Sequence, residues 1–257
     1  MMVPMEATGP DHDAARSMRA YWDAKAQENA MYYIHSVLDY RDTDVEGFWA
    51  SGAEALEHTL GPFDVSIGPS DRVLEIGCGI GRITRALAGR AEKVTGVDVS
   101  QEMVERGRHE LADVANVELV VGNGVDLGQF PDGAFDVVYS FIVFQHIPDP
   151  AITCSYIRDI GRVLRPGGWT VFQVSDFPEI HRAEFHRAIL RLGPRLQRLL
   201  RRRERGCLEP QWLGSALARP ALLGALADGG LTLDATVGDG TQFCLVHAHK
   251  AEAGTSP

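Results

Sequence analysis

The stretch Asp71-Arg72-Val73-Leu74-Glu75-Ile76-Gly77-Cys78-Gly79-Ile80-Gly81-Arg82 decides how this chain reads. Its first half is a short apolar run with β-branched residues, the pattern of a buried parallel strand. Its second half sheds side chains at alternate positions and enters the helical pattern Ile83-Thr84-Arg85-Ala86-Leu87-Ala88. A strand that turns sharply into a helix presents backbone N–H groups at the carboxyl edge of a sheet, and glycines there let a flat or charged ligand approach the main chain. In isolation, a plain glycine-rich turn would look the same. Two details favour a ligand. Glu75 sits inside the apolar strand, where a carboxylate is costly without a partner. A second strand, Lys93-Val94-Thr95-Gly96-Val97-Asp98, ends on an acid 17 residues after Gly81, near the spacing of a ribose-binding acid.

A chain of 257 residues with 45% apolar side chains can build one large α/β core and a small accessory region. No run approaches 18 apolar residues, so no membrane span is expected. The N-terminus carries Glu6, Asp11 and Asp13 and lacks the apolar run of a signal peptide. Cys78, Cys154, Cys207 and Cys244 are scattered with no Cys-x-x-Cys pair, which argues against a disulfide scaffold or a zinc site and fits a cytoplasmic location. The net charge of −10 disfavours nucleic-acid binding. Residues 181–205 nonetheless hold nine Arg and two Glu, a local +7 against −17 elsewhere. That segment reads as a cap helix with a solvated basic face, or as a site for an anionic substrate, an acidic partner, a membrane surface or self-association into a homo-oligomer.

Residues 1–12 read as a disordered start, and Asp13 to about Leu60 as helical and unusually aromatic, with Tyr21, Trp22, Tyr32, Tyr33, Tyr40, Phe48 and Trp49. These rings either cover a sheet edge or form a lid over a ligand. Gly61-Pro62 breaks the pattern, dividing the chain into 1–60 and a core over 61–250. After the second strand, Ser100 caps a helix over Gln101–Ala112. Strands follow at Val117–Val121, Phe135–Ser140 and Trp169–Val174, a helix at Pro150–Leu164 and an insertion at about 177–213. A helix over Trp212–Leu226 and strands at Leu231–Val237 and Thr241–His249 end the pattern. Strand–helix alternation implies a doubly wound parallel sheet, and the terminal pair one antiparallel strand.

Gly77, Gly79 and Gly81 depart from the nicotinamide fingerprint G-x-G-x-x-G, which would need glycine where Arg82 stands. Instead, LEIGCGIGR, GVDVS, GNG, PDGAFDVVYS and LRPGG, in that order, resemble the motifs of class I methyltransferases that use S-adenosylmethionine (SAM), over roughly residues 65–250. The resemblance implies a seven-stranded α/β sheet in the order 3-2-1-4-5-7-6 with strand seven antiparallel, a helical N-terminal lid and a cap insertion after strand five. It implies SAM as cofactor. Gly77 and Gly79 would let the backbone approach its methionine part, with Glu75 buttressing the loop. Asp98 would accept from the ribose hydroxyls, Val99 and Met103 would flank the adenine, and Asn123 and Gly124 would meet the adenine edge. Ser140 and Phe141 would line the methyl-donor side.

Methyl transfer from a sulfonium is an in-line displacement that positioning in a dry pocket can promote, with no metal required. A hydroxyl or amine acceptor must lose a proton, and His146, just beyond the fourth strand, is the first candidate base, with a local packing role as its alternative. Asp176 is the second candidate, and His181 and His186 read as surface residues. The leading function is SAM-dependent methylation of a small molecule, at O or N in preference to C. A non-catalytic SAM-binding or regulatory module, a nicotinamide oxidoreductase and an RNA methyltransferase are the rivals. The place of an Asn/Asp-Pro-Pro-aromatic motif reads Ser140-Phe141-Ile142-Val143, which weighs against RNA.

Overall fold

The computed structural model describes residues 10–184 and 208–252. Most of the basic segment, with His186 and Cys207, lies outside the described residues. The elements are α1 Pro10–Ile34, α2 Val45–Leu60, β1 Arg72–Ile76, α3 Arg82–Ala88, β2 Lys93–Asp98, α4 Gln101–Glu110, β3 Val117–Val121, β4 Phe135–Ser140, α5 Pro150–Val163, β5 Leu164–Val174, α6 Pro210–Leu213, α7 Arg219–Asp228, β6 Leu231–Val237 and β7 Cys244–Lys250. The strands form one sheet, β3-β2-β1-β4-β5-β7-β6, in the expected order. β1 to β5 are parallel, and β7 runs antiparallel between β5 and β6. No described helix is long and apolar enough to cross a membrane.

Each face of the sheet is closed by helices whose apolar spacing demands it. In α5, Ile152, Tyr156, Ile157 and Ile160 recur at helical spacing and pack with Leu222 and Leu226 of α7 against Val138 and Phe172. Asp149 starts α5 by accepting from the Ala151 N–H, with Pro150 preset for the first turn. The α5–α7 approach is close enough that a Cβ on Gly161 would stand 1.9 Å from the Gly229 carbonyl oxygen. On the other face, Leu56 and Leu60 of α2 and Ile83 and Leu87 of α3 cover Val73, Val137 and Val171. There the buried Tyr139 and Thr59 hydroxyls bond at 2.9 Å.

Three segments differ from the sequence reading. β5 begins at Leu164, not Trp169. Phe135 pairs with Leu164 and Val137 with Trp169, so Arg165–Gly168 bulge out of a continuous strand. The bulge places Arg165 on Asp136, which also accepts from the Arg72 N–H at 2.8 Å. The expected helix over Trp212–Leu226 is two helices. Gly214 adopts φ 58°, a conformation that favours glycine, and a Cβ there would strike the Gln145 carbonyl. The Leu217 N–H then bonds to the Ser175 carbonyl. Finally, α1 starts at Pro10, ahead of Asp13, and breaks at Asn29. The Asn29 side chain accepts from the Tyr32 N–H and donates to the Tyr40 carbonyl, so it restarts the helix beyond the break.

α1 packs across the carboxyl edge of the sheet. Arg19 donates through Nε to the Val99 carbonyl and through Nη2 to the Gly122 carbonyl, at 3.1 and 2.8 Å. Asp23 accepts from the Ser100 hydroxyl and the Glu102 N–H, at 2.6 and 3.1 Å. Ser100 itself caps α4 by accepting from the Met103 N–H. One helix thus fastens the ends of β2 and β3 and the start of α4.

Candidate active site

Two adjoining cavities open at this edge. The first, about 120 Å³, is lined by Glu75, Gly77, Gly79, Asp98, Val99, Met103, Phe141 and His146 of the expected site, together with Met18 and Trp22 of α1. Gly77 and Gly79 have φ of 75° and 53°, which few L side chains tolerate. A Cβ on Gly77 would overlap Val143, and one on Gly79 would overlap Ile34. Both glycines line the cavity, and because Val143 and Ile34 already occupy the space a Cβ would take, the backbone there can carry no side chain.

Asp98 holds this glycine loop. Its Oδ2 accepts from the Gly79 N–H and its Oδ1 from the Ser100 N–H, at 2.8 and 2.9 Å. A carboxylate accepts about four hydrogen bonds, so lone pairs remain for a ligand's hydroxyls. Burial raises its pKa, and the backbone N–H bonds oppose that rise. Glu75 is 3% exposed and accepts from the Thr84 hydroxyl. Burial pushes its pKa up to about 8 against the pull of Thr84 and Arg82, so it is mostly protonated at neutral pH.

Three expected residues stand apart from the first cavity's lining. Asn123 closes a turn: its Oδ1 accepts from the Val125 and Asp126 N–H groups and its Nδ2 donates to Asp126. Its amide is occupied locally, which leaves the adenine contact without support. Gly124 lies against Val99 and Ala15, and the Ser140 hydroxyl donates to the Ile76 carbonyl.

The second cavity, about 550 Å³, shares Tyr33, Ile34, Arg82, Phe141, Ile142 and His146 with the first and adds His35, His58, His181, Glu54 and Trp212. Ile142, in the common wall, has φ 57°, a strained conformation for a β-branched residue. Its N–H donates to Gln173 Oε1, and Gln173 donates in turn to Gln145 and to the Gln242 carbonyl. This buried amide network holds the strain.

His146 Nδ1 lies 3.1 Å from the Trp212 carbonyl, which can only accept, so the ring is protonated there. Nε2 then accepts from Gln145 at 3.1 Å. Trp22 and Trp212 pack against the ring. Burial lowers its pKa to about 4. His146 is therefore neutral in this structure, with burial holding its titration below the ordinary histidine value. Asp176 caps the β6–β7 turn by accepting from the Gly240 N–H and lines neither cavity. His181 is half-buried rather than a surface residue, bonded to the Ser175 hydroxyl and the Leu213 carbonyl.

The sheet order and the glycine loop define the class: this is the class I SAM-dependent methyltransferase fold. Residues 74–172 match the family model described as a methyltransferase domain. A demethylmenaquinone methyltransferase of Staphylococcus aureus is 34% identical over 111 residues, 42% of this chain and 44% of that enzyme. The chain thus spans less than half the length of the curated relatives it matches. Phosphoethanolamine N-methyltransferase 1 of Haemonchus contortus, solved with phosphoethanolamine and S-adenosylhomocysteine, superposes with a TM-score of 0.66 at 15% identity over 99% of this chain and 53% of that one. Geranyl diphosphate C-methyltransferase of Streptomyces coelicolor superposes with a TM-score of 0.60 at 17% identity over 96% and 100%.

Sequence reasoning missed Arg19, Asp23, Arg82 and Trp212. Arg82 had a signal, a charged side chain opening a helix on the glycine loop. The others act through tertiary placement that spacing does not encode.

Proposed function

We propose that this chain methylates a small molecule, with SAM in the first cavity and the acceptor in the second. The observation that carries the reading is the shared wall: a glycine loop and Asp98 on one side, a larger chamber on the other, meeting at Phe141, Ile142 and His146. The side-chain-free Gly77 and Gly79 in the cavity wall and the acceptor capacity left on Asp98 suit the methionine and ribose parts of SAM. Val99 and Met103 offer apolar surface for its adenine. When bound, SAM supplies an electrophilic methyl group. The names of the matched demethylmenaquinone and geranyl diphosphate enzymes support a small organic acceptor. Histidine, carboxamide and hydroxyl groups around the second cavity suit the orientation of a polar acceptor at oxygen or nitrogen. His146, neutral and fixed by Trp212, would position that acceptor through Nε2 by exchanging its bond from Gln145 for one from the acceptor. α1, pinned by Arg19 and Asp23, would exclude water as the lid.

Calorimetry with SAM, S-adenosylhomocysteine and NAD tests the cofactor. SAM should bind and NAD should not, and Asp98→Ala should weaken SAM by roughly 1.5–3 kcal/mol, the scale of hydrogen bonds to a charged group. Equal SAM affinity in the variant removes the assignment.

A further inference from the structure

Arg82 is only 5% exposed, yet the fold uses part of its guanidinium. Nη1 donates to the Ser51 carbonyl and hydroxyl at 3.0 and 3.2 Å. Nε is buried with no hydrogen-bond acceptor. Among the described residues, no carboxylate forms an ion pair with it. A buried guanidinium left this way is costly. Nε also belongs to the edge with which arginine grips a carboxylate through two parallel bonds. Glu75, in the first cavity's wall, accepts from the Thr84 hydroxyl rather than from the guanidinium.

Nη1 is anchored on Ser51, which lines the second cavity and not the first, and Arg82 itself lines both. The chamber changes character along its length. Val37 and Phe243 stand 75% and 49% exposed at its surface, while Arg82 lies buried in the wall it shares with the first cavity. A single guanidinium balances a single negative charge, and a doubly charged head would leave an excess in a low-dielectric wall.

We propose that Arg82 selects the acceptor: the second cavity takes an amphipathic carboxylic acid in its ionised form, with the carboxylate on Arg82 and the apolar part towards Val37 and Phe243. This rests on the methyl-transfer reading for which cavity is the acceptor's.

The test titrates the full chain, saturated with S-adenosylhomocysteine, with octanoate, octanol and octyl phosphate. Octanoate should bind about tenfold or more tighter than octanol, a margin of about 1.4 kcal/mol, and tighter than octyl phosphate. Arg82→Gln should abolish the preference for octanoate with octanol unchanged, and Arg82→Lys should keep part of it. Arg82 is part of the shared wall, so S-adenosylhomocysteine affinity should also fall, by a smaller factor than octanoate affinity, in both variants. Equal binding of octanoate and octanol by the parent overturns the proposal, as does unchanged octanoate affinity in Arg82→Gln. Tighter binding of octyl phosphate overturns the single-charge assignment. A selective loss of S-adenosylhomocysteine in the variants places Arg82 on the cofactor and overturns it too. If Arg82→Gln fails to fold, the parent's ranking and Arg82→Lys decide. If the parent binds no S-adenosylhomocysteine, the methyl-transfer reading falls, and the octanoate series without it still decides whether Arg82 holds a carboxylate.

Discussion

Replacing Glu75 with Gln should stabilise the protein increasingly as pH rises, and leave it almost unchanged at acid pH. The folded carboxyl titrates at about 8 because burial opposes its charge, against an ordinary value of 4.5. Below the ordinary value both folded and unfolded chains hold the proton, and Glu75 costs nothing. Between the two values the unfolded chain gives up its proton while the folded one keeps it, so the parent loses stability as pH rises. The loss runs at up to about 1.4 kcal/mol per pH unit and sums to on the order of 5 kcal/mol, less whatever the loop recovers by relaxing. Gln has nearly the same shape, can still accept from Thr84 and has no proton to lose. The assay is the urea midpoint of parent and variant, without cofactor, from about pH 5 to about pH 9. The difference between the two curves cancels His35, His146 and His247, whose pKa values burial lowers in both proteins. Parallel curves would refute the reasoning. A variant less stable at every pH would show that Glu75 is ionised and held by Arg82.

His146→Gln should lower kcat on the order of 10²-fold if the ring positions the acceptor. Neither enzyme should show a limb near pH 6.5 due to this residue, and a parent limb there that the variant loses would restore the base role. Arg19→Ala removes two hydrogen bonds that hold Val99 and Gly122, and should weaken SAM by about 1 kcal/mol per bond lost, read by calorimetry. Gly161→Ala drives a Cβ into the Gly229 carbonyl and should cost about 1–3 kcal/mol in urea, with SAM affinity in the folded fraction unchanged.

The sheet is legible in the sequence because each parallel strand is a short apolar run bounded by a turn signal, and each helix between them keeps a 3.6-residue stripe. Ser100 is legible as a cap for the same local reason: a short polar side chain directly before a helical pattern. The LRPGG bulge is not, because a Pro-Gly-Gly run reads as a stop whether the strand begins before it or after it. Only the pairing of Phe135 with Leu164 distinguishes the two.

The site divides along the same line. Gly77, Gly79 and Asp98 are legible as one cluster because backbone geometry and one acid at a fixed spacing along adjacent strands bring them together. His146 is legible as a residue but its tautomer is not, because the proton on Nδ1 depends on Trp212, 66 residues further along the chain. That carbonyl reaches the ring because Gly214 turns the chain against Gln145, and Gln145 belongs to the same amide network that holds Ile142 in its strained conformation. The wall between the two cavities is therefore built from long-range contacts. A substitution at Gln173, which itself lines neither cavity, would release Ile142 and Gln145 together and shift the position of both His146 and the common wall.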